Sequence, residues 1–258
     1  MNKKIDFNCD MGESFGMHKL GMDEEVIKYI TSANIACGFH SGDPNWMKTT
    51  VSLAIEHNVE IGAHPSFPDL VGFGRRFINS DYNEIKNDVI YQIGAITAFV
   101  PNKKLQHVKP HGALYNQALV NDETAKAICD AVLHVDPELI LVVLSGSKWA
   151  ETAKDMGLKI GKEVFADRAV EPDGTLVSRS KPGSVIHDID EVVERSIRMI
   201  TEGKVEAIDG STITYDADTI CLHGDTPGAV DLAKKLKTEF ENSNIKICLL
   251  YTSDAADE

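Results

Sequence analysis

Apolar and polar positions along this chain switch repeatedly between two periods. Short runs that alternate, or are wholly apolar, are followed by longer runs whose apolar residues recur every three or four positions. The short runs predict strands at Lys4–Cys9, Ala33–Cys37, Val59–Ala63, Gln106–Lys109, Leu139–Leu144, Lys159–Phe165, Thr219–Leu222 and Lys246–Leu250. The longer runs predict helices at Asp23–Ile30, Asn45–Asn58, Asn83–Phe99, Glu123–Leu133, Ser147–Met156 and Gly228–Glu241. Ile189, Val192, Val193, Ile197 and Ile200 mark a further helix, stopped at Gly203. Ala207–Tyr215 carries Asp209-Gly210 and predicts a hairpin.

Strand–helix alternation with short connections implies a parallel sheet with right-handed crossovers. Seven or eight such units in 258 residues fit a closed or nearly closed β/α barrel of the TIM type. No glycine-rich turn follows the first strand, which counts against a dinucleotide-binding fold. No linker, low-complexity tract or charge block interrupts the pattern, so one domain over residues 1–250 is expected. Pro65–Ser80 and Ala166–His187 are long connections, expected to be lids or binding loops.

A formal net charge of −14 argues against a nucleic-acid or anionic-membrane partner, though a local arginine pair can still recruit a small anion. Five cysteines without a Cys-x-x-Cys spacing, behind an opening Met1-Asn2-Lys3-Lys4 with no signal peptide, predict reduced thiols and a cytoplasmic protein. Cys9, Cys37, Cys221 and Cys248 fall in strand-like runs and are expected to be buried small apolar residues. No apolar stretch approaches the roughly 20 residues that span a bilayer.

The chemistry gathers at strand ends. His40, His64, His111 and His223 each follow a predicted strand and sit beside Gly or Pro, and the first strand ends in Asp10 and Glu13. In a parallel barrel these ends share one mouth, where active sites form. Alternation puts Asp6, Asn8 and Asp10 on one face of the first strand, pointing inward, where carboxylates need partners. Asp43 and Thr226 suit helix N-caps. Asp225 is placed to orient His223, and His40 and His223 lie beside helix starts suited to an anion. His64 and His111 adjoin rigid prolines and suit proton transfer, with Lys109 beside a developing negative charge. Arg75 and Arg76 can clamp a carboxylate or phosphate, whereas Asp167 and Arg168 serve either the site or a structural ion pair. His18, His57, His107, His134 and His187 lack this setting and are expected to be surface or satisfied residues. Asp10 with two or three histidines is also a plausible divalent-metal site, so a metal stays open, and no phosphate-binding P-loop marks an ATP site.

Asn8-Cys9-Asp10-Met11-Gly12-Glu13, Gly38-Phe39-His40, Gly62-Ala63-His64-Pro65-Ser66, Lys109-Pro110-His111-Gly112-Ala113-Leu114-Tyr115, Phe165-Ala166-Asp167-Arg168 and Cys221-Leu222-His223-Gly224-Asp225 resemble the LamB/YcsF family, in order from about residue 4 to 248. The resemblance implies a seven-stranded TIM-like barrel related to glycoside hydrolases and deacetylases. It implies an enzyme that opens the cyclic amide 5-oxoproline to glutamate with ATP, carried by Mg²⁺, as co-substrate, and that works with partner subunits B and C. On that reading Asp10, Glu13, His64, Lys109 and His111 are catalytic. Asn8, His40, Arg75, Arg76, Asp167, Arg168, His223 and Asp225 contact substrate or phosphate. A metal-dependent deacetylase or sugar hydrolase, and a non-catalytic substrate-binding subunit, are the alternatives. The chain departs from the family pattern at Val170, where an aromatic is usual, and in residues 251–258, which do not resemble a family terminus.

Overall fold

The structure, a computed structural model, describes residues 3–224 and 228–250. In chain order it forms β1 (Lys4–Met11), α1 (Asp23–Val26), β2 (Ser32–Ala36), α2 (Pro44–Glu56), β3 (Glu60–His64), α3 (Tyr82–Thr97), β4 (His107–Val108), α4 (Gly112–Val120) and α5 (Asp122–Val135). There follow β5 (Ile140–Leu144), α6 (Lys148–Asp155), β6 (Lys159–Phe165), α7 (Ile189–Glu202), β7 (Lys204–Glu206), β8 (Thr212–Thr214), β9 (Thr219–His223), α8 (Ala229–Asn242) and β10 (Lys246–Ile247).

Seven strands, β1 to β6 and then β9, pair in parallel, and β9 pairs back onto β1 from Asp6↔Thr219 to Asp10↔His223, closing the barrel. Closure is what the alternation predicted. β10 adds only a short pairing at the foot of β1, through Lys4↔Lys246 and Ile5↔Ile247. The expected last strand ends early because Leu250 leaves the ladder and packs on Ile140 and Val142 at the barrel base. The hairpin forms as β7 and β8, starting three residues earlier than expected, at Lys204.

Helix ends follow local chemistry. Asp43 caps α2 by accepting from the Asn45 and Trp46 amides, as expected for it, and Asp81 with Glu84 forms a capping box on α3. Along α3, Ile85, Val89, Ile93 and Ile96 are buried against the barrel, each contributing about 1.5–3 kcal/mol by leaving water. α7 stops at Gly203, which takes φ +68. The helix α4 was not anticipated. It begins one residue after His111 and is so closely covered that its apolar positions show little contrast between faces; Asn121 then caps α5 and separates the two. One connected core runs from Ile5 to Ile245. No helix among the described residues is long and apolar enough to cross a membrane.

The barrel interior is polar in layers, as the inward face of β1 predicted. At the base, Asp6 accepts from Thr31, Ser32 and Thr219. Above it, Asn8 donates to Glu163 and Thr219, and Asn34 donates to Asn8. His107 is buried and satisfied, bonding Asn34 Oδ1 at 2.7 Å and Gln106 Oε1 at 3.0 Å. Its ring fits because Gly62 faces it: a Cβ there would stand 2.1 Å from His107 Nε2. Burial pushes His107 down to about 3, so it is neutral.

Candidate active site

The carboxyl ends of the strands open into a cavity of about 590 Å³, a volume typical of small-molecule sites. Asp10, Glu13, His64, Arg75, Lys109, His111, Arg168 and His223 all line it. Eight of the expected site residues thus meet at one mouth because parallel strands deliver their ends to the same side.

Lys109 holds the floor together. Its ammonium, 2% exposed, donates to Glu163 Oε1 at 2.8 Å, Asp10 Oδ1 at 3.0 Å and Cys221 Sγ at 3.0 Å, with Asn8 Oδ1 at 3.3 Å. Burial alone would lower the lysine; Asp10, Cys221 and Glu163 outweigh it and hold Lys109 well above its ordinary range. Burial likewise works against ionised Asp10, but His64 and Lys109 reverse this and hold its carboxyl well below the usual range. Asn34 adds a bond to Asp10 Oδ1 at 2.9 Å. Asp10 therefore carries its charge in a nearly water-free setting.

Glu13, His40, His64 and His111 form a second cluster. His64 Nδ1 donates to the Lys109 carbonyl at 2.6 Å, and His111 Nε2 donates to the Phe73 carbonyl at 2.9 Å. Their other nitrogens, His64 Nε2 and His111 Nδ1, face each other at 3.0 Å. His40 stacks on His111 at 3.8 Å and places Nε2 3.1 Å from Glu13 Oε1. Burial, reinforced by the neighbouring imidazoles, pushes His111 and His40 well below the ordinary range. Gly74, at φ +63, lets the loop after β3 close over these rings, since a Cβ there would lie 2.7 Å from His111 and 2.8 Å from His40. Donor atoms of Glu13, His40, His64 and His111 lie within 4.8 Å of one another, as do those of Asp10, Cys221 and His223.

His223 is oriented by Asp167, with Nδ1 3.0 and 3.1 Å from the two carboxylate oxygens. The expected partner Asp225, with the expected cap Thr226, lies outside the described residues. Burial opposes ionised Asp167, but the His223 ring lowers it below its usual value. His223 Nε2 accepts from Arg179 at 3.1 Å.

The arginines divide. Arg75 lines the cavity, its guanidinium 5.0 Å from the Phe73 ring centre. Arg76 does not share in an anion clamp: it pairs with Asp69 inside its own loop, with a largely exposed side chain outside the cavity lining. Arg168 lines the cavity, but it spends its described bonds on the Ser184 and Val177 carbonyls rather than on Asp167. Asn8, His40 and Asp167 sit one layer beneath the lining.

Sequence reasoning missed Glu163, Cys221, Asn34 and Arg179. Glu163 could have been found by the rule that exposed Asp6: a carboxylate inside the otherwise apolar β6 run needs a buried cation. Cys221 is buried as expected, yet touches the Lys109 ammonium rather than only apolar groups. Arg179 comes from the loop after β6, where no periodicity reports direction.

The LamB/YcsF family model matches residues 5–255. The 5-oxoprolinase A-subunit of Pyrococcus abyssi is 53% identical over 246 residues, covering 95% of this chain and 96% of that protein. The 5-oxoprolinase A-subunit of Clostridium beijerinckii is 53% identical over 250 residues, covering 96% and 98%. Among solved structures, the lactam utilization protein from Thermus thermophilus superposes with a TM-score of 0.89 at 45% identity, over 96% of this chain and 100% of that one. A family 4 carbohydrate esterase from Streptomyces lividans, at TM-score 0.51 and 8% identity over 97% and 94% of the two chains, shares the fold alone.

Proposed function

This chain belongs to the LamB/YcsF family, and on that premise we propose that its barrel mouth opens the lactam ring of 5-oxoproline to glutamate, coupled to ATP hydrolysis. The observation that carries the reading is the buried Asp10–Lys109–Glu163 array at the cavity floor. A carboxylate held charged out of water is suited to a cyclic amide, because the ring N–H is a donor that needs a fixed acceptor. Lys109 keeps Asp10 ionised and aimed. Its described bonds already go to protein partners, so we assign it to positioning rather than to the oxyanion role first expected of it.

An amide oxygen is a poor leaving group, and transfer of a phosphoryl group from ATP to it would provide a better one. The chain contributes cations for that exchange: Arg75 and Arg179 edge the cavity and suit the substrate carboxylate or a phosphate. Water must then be deprotonated at the same carbon. Asp10, held well below its usual range, is a weak proton acceptor. His223 fits better, with Nδ1–H fixed by Asp167 and Nε2 carrying a lone pair at the cavity edge. We assign it the general-base role and Asp10 the ring N–H. By analogy with the named relatives, the chain works beside partner subunits B and C, in a reducing cytoplasm that suits its five free cysteines.

The test is 5-oxoproline-dependent release of phosphate and glutamate, measured for the chain alone and after adding subunits B and C. The assembled enzyme is expected to be active, and Asp10→Asn and His223→Ala each to lower kcat on the order of 10²–10⁴-fold. Near-full glutamate production by either variant would sink the site assignment.

A further inference from the structure

The facing nitrogens of His64 and His111 present a charge problem. A backbone carbonyl can only accept, so His64 Nδ1 and His111 Nε2 must carry the hydrogens in their bonds to Lys109 and Phe73. In the neutral rings, His64 Nε2 and His111 Nδ1 are then both bare lone pairs, 3.0 Å apart and buried. Two acceptors at that distance repel unless something positive lies between them. Glu13 Oε1 stands 3.5 Å from the same His111 nitrogen, and His40 Nε2 stands 3.1 Å from that oxygen.

We propose that Glu13, His40, His64 and His111 form a binding site for one divalent cation of the zinc type. Three imidazole nitrogens and one carboxylate oxygen are a borderline-soft set that suits such ions over Ca²⁺ or Mg²⁺. The observed donor spacings of 3.0, 3.1 and 3.5 Å bracket the roughly 3.3 Å edge of a tetrahedron with bonds of about 2.0–2.1 Å. His64 and His111 also show the outer arrangement of metal-bound histidines, each giving its second N–H to a carbonyl and thereby fixing the ring and its tautomer. The low basicity of His111 and His40 keeps their rings neutral and able to bind. A cation here would act as a Lewis acid beside Asp10. The inference stands whichever substrate the cavity takes.

The competing occupant is a proton, shared as an imidazolium between the two rings. Untagged protein would be stripped with chelator and titrated with Co²⁺, then with Zn²⁺. The expected result is about one Co²⁺ per chain with the intense visible bands of a four-coordinate N/O site, no thiolate charge-transfer band, and stoichiometric displacement by Zn²⁺. His64→Ala and His111→Ala should each raise the Co²⁺ Kd by at least on the order of 10²-fold, and Cys221→Ser should leave it unchanged. If the variants fail to fold, the wild type still decides: Zn²⁺ should raise its Tm and shift its His64 and His111 ring ¹⁵N resonances. The proposal is overturned if the folded wild type gives no Co²⁺ spectrum, or if a thiolate band places the ion on Cys221. It is also overturned if the histidine variants bind unchanged, or if the ring resonances report a shared proton that Zn²⁺ does not displace.

Discussion

Asp167 holds His223 Nδ1 through both carboxylate oxygens, at 3.0 and 3.1 Å, which leaves Nε2 as the ring nitrogen without a hydrogen. Asp167→Asn preserves shape but removes the charge that selects this tautomer. It is expected to lower kcat on the order of 10²–10⁴-fold with KM little changed, read from glutamate release by the assembled enzyme. A variant within twofold of wild type would show that His223 does not move the proton.

The Lys109–Glu163 pair predicts a non-additive stability pattern. Lys109→Met strands the Asp10 and Glu163 carboxylates without their cation and should cost on the order of 3–5 kcal/mol in urea unfolding. Glu163→Gln leaves Asp10 to balance the lysine and should cost less. Combining the two should recover part of the loss, because the second change removes a stranded charge. Strict additivity would mean the pair is not coupled.

Asp6 predicts a pH effect remote from the cavity. Burial pushes its carboxyl up to about 6 from 3.8, against bonds from Ser32, Thr219 and Thr31 that pull it down. Between those values the folded chain holds a proton that the unfolded chain has released. Asp6 therefore makes stability fall as pH rises through that window, and it destabilises the fold at neutral pH by on the order of 3 kcal/mol. Asp6→Asn should be more stable than wild type at pH 7, with the difference fading toward pH 4. A constant difference across that range would refute the assignment.

Gly62→Ala tests the barrel interior. The new methyl would stand 2.1 Å from His107 Nε2, against a ring held by Asn34 and Gln106. A loss of about 1–3 kcal/mol or more is expected, seen as a lower urea midpoint with an unchanged m-value. His107→Ala in the same background should restore part of it. An unaffected Gly62→Ala protein would mean the ring moves freely.

The barrel was legible because alternation and helical spacing are local. Each of β1 to β6 and β9 carries its own apolar signature, and parallel connections leave few ways to join them. Site membership was legible for the same reason: Asp10, His64, Lys109, His111 and His223 are strand-end residues, and a parallel barrel puts all strand ends on one side. α4 escaped because burial on most faces erases helical contrast, and Arg76 misled because adjacency to Arg75 says nothing about direction.

The sequence by itself determined the alternation, the inward face of Asp6, Asn8 and Asp10, and the set of groups at the mouth. Only the tertiary structure decided which of these touch. Glu163 meets Lys109, Asp167 meets His223, and His64 meets His111 across separations that no local period reports. The physical reason is that charge, tautomer and acidity depend on distances of about 3 Å between side chains, and those distances exist only once the barrel has closed.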